Sequence, residues 1–297
     1  MATITRNSCP VCSSPNISQQ LRAEDYTVSH QVFGIWQCAE CTLRFTQDAP
    51  DAFSVGSFYQ SDNYISHTDT AEGIINKLYH FVRRTTLKRK RGLVAHTTGV
   101  TKGKLLDIGA GTGAFAATMQ QAGWSVTGLE PDAGTRQRAA DLHGLALQDT
   151  VVLFQLPINS FDAITMWHVL EHVHELHAYI EQIKLLLKQE GRALIAVPNY
   201  TAYDAQVYRQ YWAAYDVPRH LYHFSPASIK SLLAQHGLRL IDVKPMWYDS
   251  FYISMLSEQY KTGKSNLVKA VWNGFRSNLA ALFNRQRCSS VIYLVGK

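Results

Sequence analysis

The chain of 297 residues contains no uninterrupted apolar run near the roughly 18 residues that a membrane-spanning helix requires, so a helical membrane span is not expected. Its opening, Met1-Ala-Thr-Ile-Thr-Arg-Asn7, has no apolar signal-peptide core, which makes the cytoplasm the expected compartment. Cysteine is scarce, with five residues, and without an export signal disulfides are disfavoured. Charge is sparse as well: 18% of residues are charged against 46% hydrophobic, the balance of a soluble globular chain with core for one ordinary domain plus a small appendage, or for two small domains. The net charge of +6 favours anionic partners without requiring one.

Four of the five cysteines fall as Cys9-Pro-Val-Cys12 and Cys38-Ala-Glu-Cys41. Two C-x-x-C knuckles at this separation read as a four-cysteine structural Zn2+ site, closed to water and therefore holding a small fold together without performing chemistry. Between them, Tyr26 to Gln37 alternates as short strands do, so residues 1–46 are read as a zinc-ribbon-like segment. Ribbons often meet nucleic acid, but only Arg22 and Arg44 are basic between Cys9 and Thr46, too few phosphate contacts to favour that partner. Cys288 is read as a small buried apolar residue.

The stretch that organises the remainder is Lys104-Leu-Leu-Asp-Ile-Gly-Ala-Gly-Thr-Gly-Ala-Phe. Leu105, Leu106 and Ile108 predict a short buried strand and residues 114–119 open a helix, so Gly109, Ala110, Gly111, Thr112 and Gly113 form the turn between them. Glycines there let a nucleoside or phosphate approach the backbone, and the helix start points free N–H groups at it. The next strand, Ser125 to Glu130, ends in a carboxylate 21 residues after Gly109, placed to accept the hydroxyls of an adenosine ribose. That geometry serves a nicotinamide cofactor and S-adenosylmethionine equally. Asp107 within the strand, the tight G-x-G-x-G spacing and the later Phe161-Asp-Ala-Ile-Thr-Met-Trp-His-Val-Leu-Glu-His172 favour the second.

With these residues in view the chain resembles the class I S-adenosylmethionine-dependent methyltransferases, and within them the ubiquinone-type O-methyltransferases, over residues 100–246 and the last eight. The resemblance implies an α/β, Rossmann-like, seven-stranded mostly parallel sheet with helices on both faces. It also implies methyl transfer, to an oxygen first and to nitrogen or carbon less so, on a small molecule, lipid precursor or sugar derivative. It assigns S-adenosyl-L-methionine to Asp107, Gly109, Ala110, Gly111, Thr112, Gly113, Glu130, Pro131, Asp149, Thr150, Trp167 and His168. Members similar at Leu170-Glu-His172 place a divalent metal near the acceptor, which makes Glu171, His172 or His174 ligand candidates; the alternative is that Glu171 and His172 only hydrogen-bond around the cofactor. No Asn-Pro-Pro-Tyr follows the fourth strand, which counts against methylation of base amines. The zinc peptidase pattern spelled by His168-Val-Leu-Glu-His172 lacks the long helix such enzymes need. A zinc-ribbon RNA or protein methyltransferase remains the alternative function.

Other segments follow from local signals. Residues 47–72 are a connector, and Ile74, Ile75, Leu78, Phe81, Val82 and Leu87 predict a helix to about Thr98, completing a connector and basic helix at 47–99. Its basic run from Arg83 to Arg91 reads as a solvated face before an anion site. In the core domain, 100–297, the spacing predicts helices at 113–122, 131–143 and 173–190, the last stopped by Gly191, and a third strand near Leu145–Leu147. Asp216-Val-Pro-Arg-His220 is either a general-base site, with His220 or His168 taking a proton and Asp216 fixing an imidazole, or a structural lock. Ser225-Pro226 caps a helix ended by Gly237. The 247–287 insertion, rich in aromatics and bases, reads as a helical pair on the sheet, a lid over a hydrophobic acceptor or a peripheral membrane patch.

Overall fold

The computed structural model describes residues 2–59, 74–264 and 266–297. The connector beyond Tyr59 and the side chains of Ile74, Ile75, Leu78 and Phe81 lie outside the described residues. The amino-terminal segment folds as three antiparallel strands, β1 (Ile17–Glu24), β2 (Val32–Cys38) and β3 (Arg44–Thr46). A fourth strand comes from far downstream, Tyr222–His223, which pairs antiparallel with β3 through Phe45 and Arg44. Cys9, Val11, Leu43 and Phe45 share one apolar core with Leu106, Ile108 and Ile195 of the larger sheet. The ribbon is thus continuous with the rest in both hydrogen bonding and packing.

After α1 (Ile74–Thr98) the chain alternates: β4 (Lys104–Ile108), α2 (Ala114–Gln121), β5 (Ser125–Leu129), α3 (Ala133–His143), β6 (Phe161–Trp167), α4 (Leu176–Leu186), β7 (Leu187–Pro198). Then come α5 (Pro226–Gln235), β8 (Arg239–Pro245), α6 (Asp249–Thr262), α7 (Leu267–Phe283) and β9 (Ser290–Gly296). The sheet order is β8-β9-β7-β6-β4-β5, parallel from β7 to β5, with β9 antiparallel to both β7 and β8. This is the Rossmann-like α/β sheet expected, with six strands. The third strand is reduced to a single bridge from Leu129 to Gln148, because the segment turns at once into the 3-10 helix Thr150–Gln155 capped by Asp149.

Local signals carry most of the element ends. Ser225 and Ser228 form a reciprocal capping box around Pro226, and Asp132 caps α3 by accepting from the Thr135 N–H at 2.7 Å. Gly191 is not a helix stop. α4 ends at Leu186 and β7 begins at once, with a bulge against β6 between Phe161 and Ala163. Gly191 sits in that bulge, where a Cβ would come within 2.8 Å of the Phe161 carbonyl oxygen.

One buried cation binds the ribbon to the loop that follows β7. Arg219 is 1% exposed. Its Nη2 donates to Asp25 Oδ1 at 2.9 Å and to Asp216 Oδ1 at 2.7 Å, and its Nη1 to the Phe58 carbonyl at 2.9 Å. Burial alone would raise the pKa of Asp25, but Arg219 and the Ser29 N–H hold it well below the carboxylate range. Replacing Arg219 with Ala leaves the Asp25 carboxylate buried without its charge partner and is expected to cost about 3–5 kcal/mol of stability in urea unfolding. A loss under about 1 kcal/mol, the scale of an exposed pair, would show that the contact is not a structural hub.

Candidate functional site

Gly109, Gly111 and Gly113 take φ of 71°, 54° and 77°, a left-handed run between β4 and α2 that side chains resist. A Cβ on Gly109 would strike Val169 at 2.3 Å and one on Gly113 would meet Leu145 at 2.9 Å. Nothing lies within 4 Å of the Cβ position at Gly111, so that glycine presents bare backbone to open space. Its N–H donates to Glu130 Oε2 at 2.9 Å, tying the turn after β4 to the acid that ends β5. Glu130 also accepts the Asp132 N–H at 3.2 Å, and burial raises its pKa. Arg136, which sequence reasoning passed over, clamps this corner by donating at 2.7 Å to the carbonyls of Glu130 and Pro131 and at 3.0 Å to Asp149. Asp149 and Thr150 sit at the start of the 3-10 helix beside it.

Asp107 is 1% exposed, its Oδ1 receiving the Thr165 hydroxyl at 2.6 Å. Burial lifts its pKa to about 7, opposed by that hydrogen bond and by the charge of Lys90. Lys90 belongs to the basic run expected to face solvent. Its ammonium instead lies 4.2 Å from the Trp167 ring centre, where burial lowers its pKa and Asp249 and Asp107 oppose the fall. The signal was available: Lys90 lies three positions from Leu87 and four from the buried Val94, on the apolar side of α1.

Trp167 packs edge-on against Phe115 and leads into His168, whose φ of 59° is unusual for a non-glycine residue. His168 sits between two acids, with Nε2 3.0 Å from Asp249 Oδ2 and Nδ1 3.4 Å from Glu171 Oε1. Burial alone would disfavour its cation, yet the two carboxylates raise its pKa to about 9. A histidine protonated at neutral pH has no lone pair to take a proton, and such a His168 holds charge between the two acids. Asp249, at the start of α6, carried no local signal because its partner is 81 residues distant.

Further along, His172 Nδ1 lies 3.1 Å from the Arg219 carbonyl, which can only accept, and 3.0 Å from the Tyr59 hydroxyl; burial lowers its pKa to about 4. His220 donates Nδ1–H to the Ala214 carbonyl at 2.9 Å, and the two imidazoles meet edge to face at 4.5 Å. Asp216 does not orient His220, since it lies 3.8 Å from Nε2 and spends its short bonds on Arg219. Both carboxylate oxygens of Glu171 are buried without a hydrogen bond, and one of them lies within 4.8 Å of donor atoms of both His172 and His220. His174 is elsewhere, on the Pro50 carbonyl.

In the ribbon the Sγ atoms of Cys9, Cys12, Cys38 and Cys41 all lie within 4.8 Å of one another, with Cys9 to Cys41 at 3.4 Å and Cys12 to Cys38 at 3.5 Å. Four thiolates about 2.3 Å from a tetrahedral zinc would stand about 3.8 Å apart, so the set fits that ion.

Residues 78–243 match the model of a methyltransferase domain family. A ubiquinone biosynthesis O-methyltransferase of Xanthomonas oryzae pv. oryzae is 31% identical over 160 residues, covering 49% of this chain and 66% of that protein. One of the same description from Glaesserella parasuis is 38% identical over 117 residues, covering 36% and 50%. Thus the chain spans just under two thirds of the first relative's length. In fold it is similar to a magnesium protoporphyrin IX methyltransferase from Synechocystis PCC 6803, with a TM-score of 0.52, 16% identity and coverage of 82% and 99%.

The raised pKa of Asp107 has a consequence for stability. A carboxyl whose folded pKa is about 7, against an ordinary 3.8, contributes fully below pH 4 and loses that contribution as pH rises through 7. In ligand-free protein, Asp107→Asn is therefore expected to raise Tm at pH 8, about 2–4 °C per kcal/mol recovered, with the gain vanishing toward pH 4. Thermal scans across this range check it; a gain that is largest at pH 4 would contradict the burial of an ionisable Asp107.

Proposed function

The chain belongs to the methyltransferase domain family, and from that premise we propose that it transfers the methyl group of S-adenosylmethionine to an oxygen of a small-molecule or lipid-like acceptor. The observation that carries this reading is the junction of the glycine turn with Glu130 at 2.9 Å, beyond the carboxyl ends of adjacent parallel strands, where α/β sheets of this kind take nucleotide-like ligands. Glu130 offers carboxylate oxygens to ribose hydroxyls, Gly111 offers open backbone, and Phe115 and Trp167 form an apolar wall. Asp107 and Lys90 present opposite charges to the ammonium and carboxylate of the cofactor's amino-acid end.

Methyl transfer is an in-line displacement at the sulfonium carbon: the acceptor oxygen forms the new bond, the sulfur departs with the old electron pair, and the acceptor gives up one proton. His172 is held neutral at pH 7 with Nδ1 engaged, which leaves Nε2 as a proton acceptor. His220, tethered in the same sense by Ala214, is the second candidate, while His168 is a fixed positive charge between Asp249 and Glu171. The Glu171 carboxylate, buried without a hydrogen bond and 3.4 Å from His168, supports a second reading of this trio in place of the first: Glu171, His172 and His220 would hold a divalent cation that polarises an acceptor hydroxyl when bound, and the Nε2 atoms would then be ligands and not bases.

Isothermal calorimetry with S-adenosylhomocysteine tests the reading. Glu130→Ala is expected to weaken binding by about 1.5–3 kcal/mol, roughly 10- to 150-fold, with the fold retained. Unchanged affinity, or binding of NADH in its place, would defeat the assignment. The cysteine cluster is proposed to hold structural zinc. Elemental analysis is expected to find about one zinc per chain, and Cys38→Ser to lose it together with thermal stability; a folded, metal-free chain would refute the site.

A further inference from the structure

The helix α7 is amphipathic in the reverse sense. The side it turns to the protein is built of small or polar residues, Ala270, Asn273, Gly274, Ser277 and Ala281, all buried. Gly274 lets α6 approach so closely that a Cβ there would lie 2.8 Å from the Phe251 ring. The side it turns outward carries the large apolar residues: Val268 is 83% exposed, Leu282 68% and Phe283 88%, with Val271, Trp272 and Phe275 each more than half exposed between them. A surface helix of a globular protein normally buries its apolar stripe, and a contiguous exposed patch of this kind marks an interaction surface.

Charge selects the occupant. From Gln259 to Lys297 there are seven Lys and Arg residues and no Asp or Glu. Lys264, Lys269, Arg285 and Arg287 are all exposed, and Arg276 lies beside the stripe with its guanidinium 4.9 Å from the Tyr203 ring centre. We propose that α7 docks the protein on an anionic bilayer surface, lying flat with Trp272, Phe275 and Phe283 in the headgroup and acyl boundary and the bases against lipid phosphates. Two copies meeting through this face would set like charges against each other. A phosphate polymer would satisfy the bases and leave the apolar stripe in water. At 17 residues α7 is too short to span comfortably, and among the described residues no helix is long and apolar enough to cross a membrane.

α6 packs on α7 and begins at Asp249, which touches His168, so the docking helix is linked to the candidate site through one neighbouring helix.

Co-sedimentation of the full chain with phosphatidylcholine vesicles, with and without phosphatidylglycerol, tests the proposal. Binding is expected with the anionic vesicles and to fall steeply with salt. Trp272→Ser with Phe283→Ser should lower the vesicle partition at least about tenfold, since each removes most of one buried apolar side chain, while thermal stability and S-adenosylhomocysteine affinity stay unchanged. Lys269→Gln with Arg276→Gln should lower it further and flatten the salt dependence. Equal partition of wild type and the Trp272/Phe283 variant, or failure of the wild type to bind anionic vesicles, overturns the proposal. So does salt-sensitive retention on RNA in place of vesicles, or a dimer that the double variant converts to monomer.

Discussion

A guanidinium shut away from water holds the two halves of this chain in register. Arg219 satisfies Asp25 from the ribbon, Asp216 from its own loop and the Phe58 carbonyl from the connector, while its own carbonyl oxygen receives the Nδ1–H of His172. Such a cation cannot be left half-paired, because the desolvation of each ion is recovered only when every partner is in place. The ribbon, the loop and the imidazole at the candidate site therefore order together. The pairing of Tyr222–His223 with β3, directly after Arg219, extends the same connection through backbone hydrogen bonds.

Two partly buried ionic groups adjoin each other at the carboxyl-terminal parts of β4 and β6. In one, Asp107 faces Lys90 over the Trp167 ring; in the other, His168 is held between Asp249 and Glu171. Within these groups the pKa values of Asp107 and His168 are displaced upward and that of Lys90 downward, and the neighbouring His172 is displaced downward as well. Burial drives the shifts of Asp107, Lys90 and His172, whereas the two carboxylates overcome burial at His168. Such a distribution suits the methyl transfer proposed above, because the charges are arranged before a ligand arrives.

The 247–287 insertion joins the site to the surface. Its first helix supplies Asp249 to His168, and its second helix uses small residues to come close to the first, which leaves its large apolar residues outward. One segment thus contributes a charge to the candidate site and an apolar, basic face to the exterior.

Much of this was legible in the order of residues. The change from strand to helix periodicity around three glycines, the acid 21 positions on, the paired C-x-x-C knuckles and the Ser225-Pro226 cap are short-range patterns, and each rests on backbone geometry or metal chemistry that operates over a few residues. Strand count and element ends were less secure: Gly191 serves a bulge because of a carbonyl on a neighbouring strand, and the segment after α3 forms one bridge where a strand was expected. Only the tertiary structure decided that Lys90 turns inward, that Asp249 reaches His168 and that α7 presents its apolar side to the exterior. In these cases the deciding forces are desolvation and charge pairing between residues tens of positions apart, and no local pattern in a chain records which distant carboxylate, ring or helix will arrive to meet a side chain.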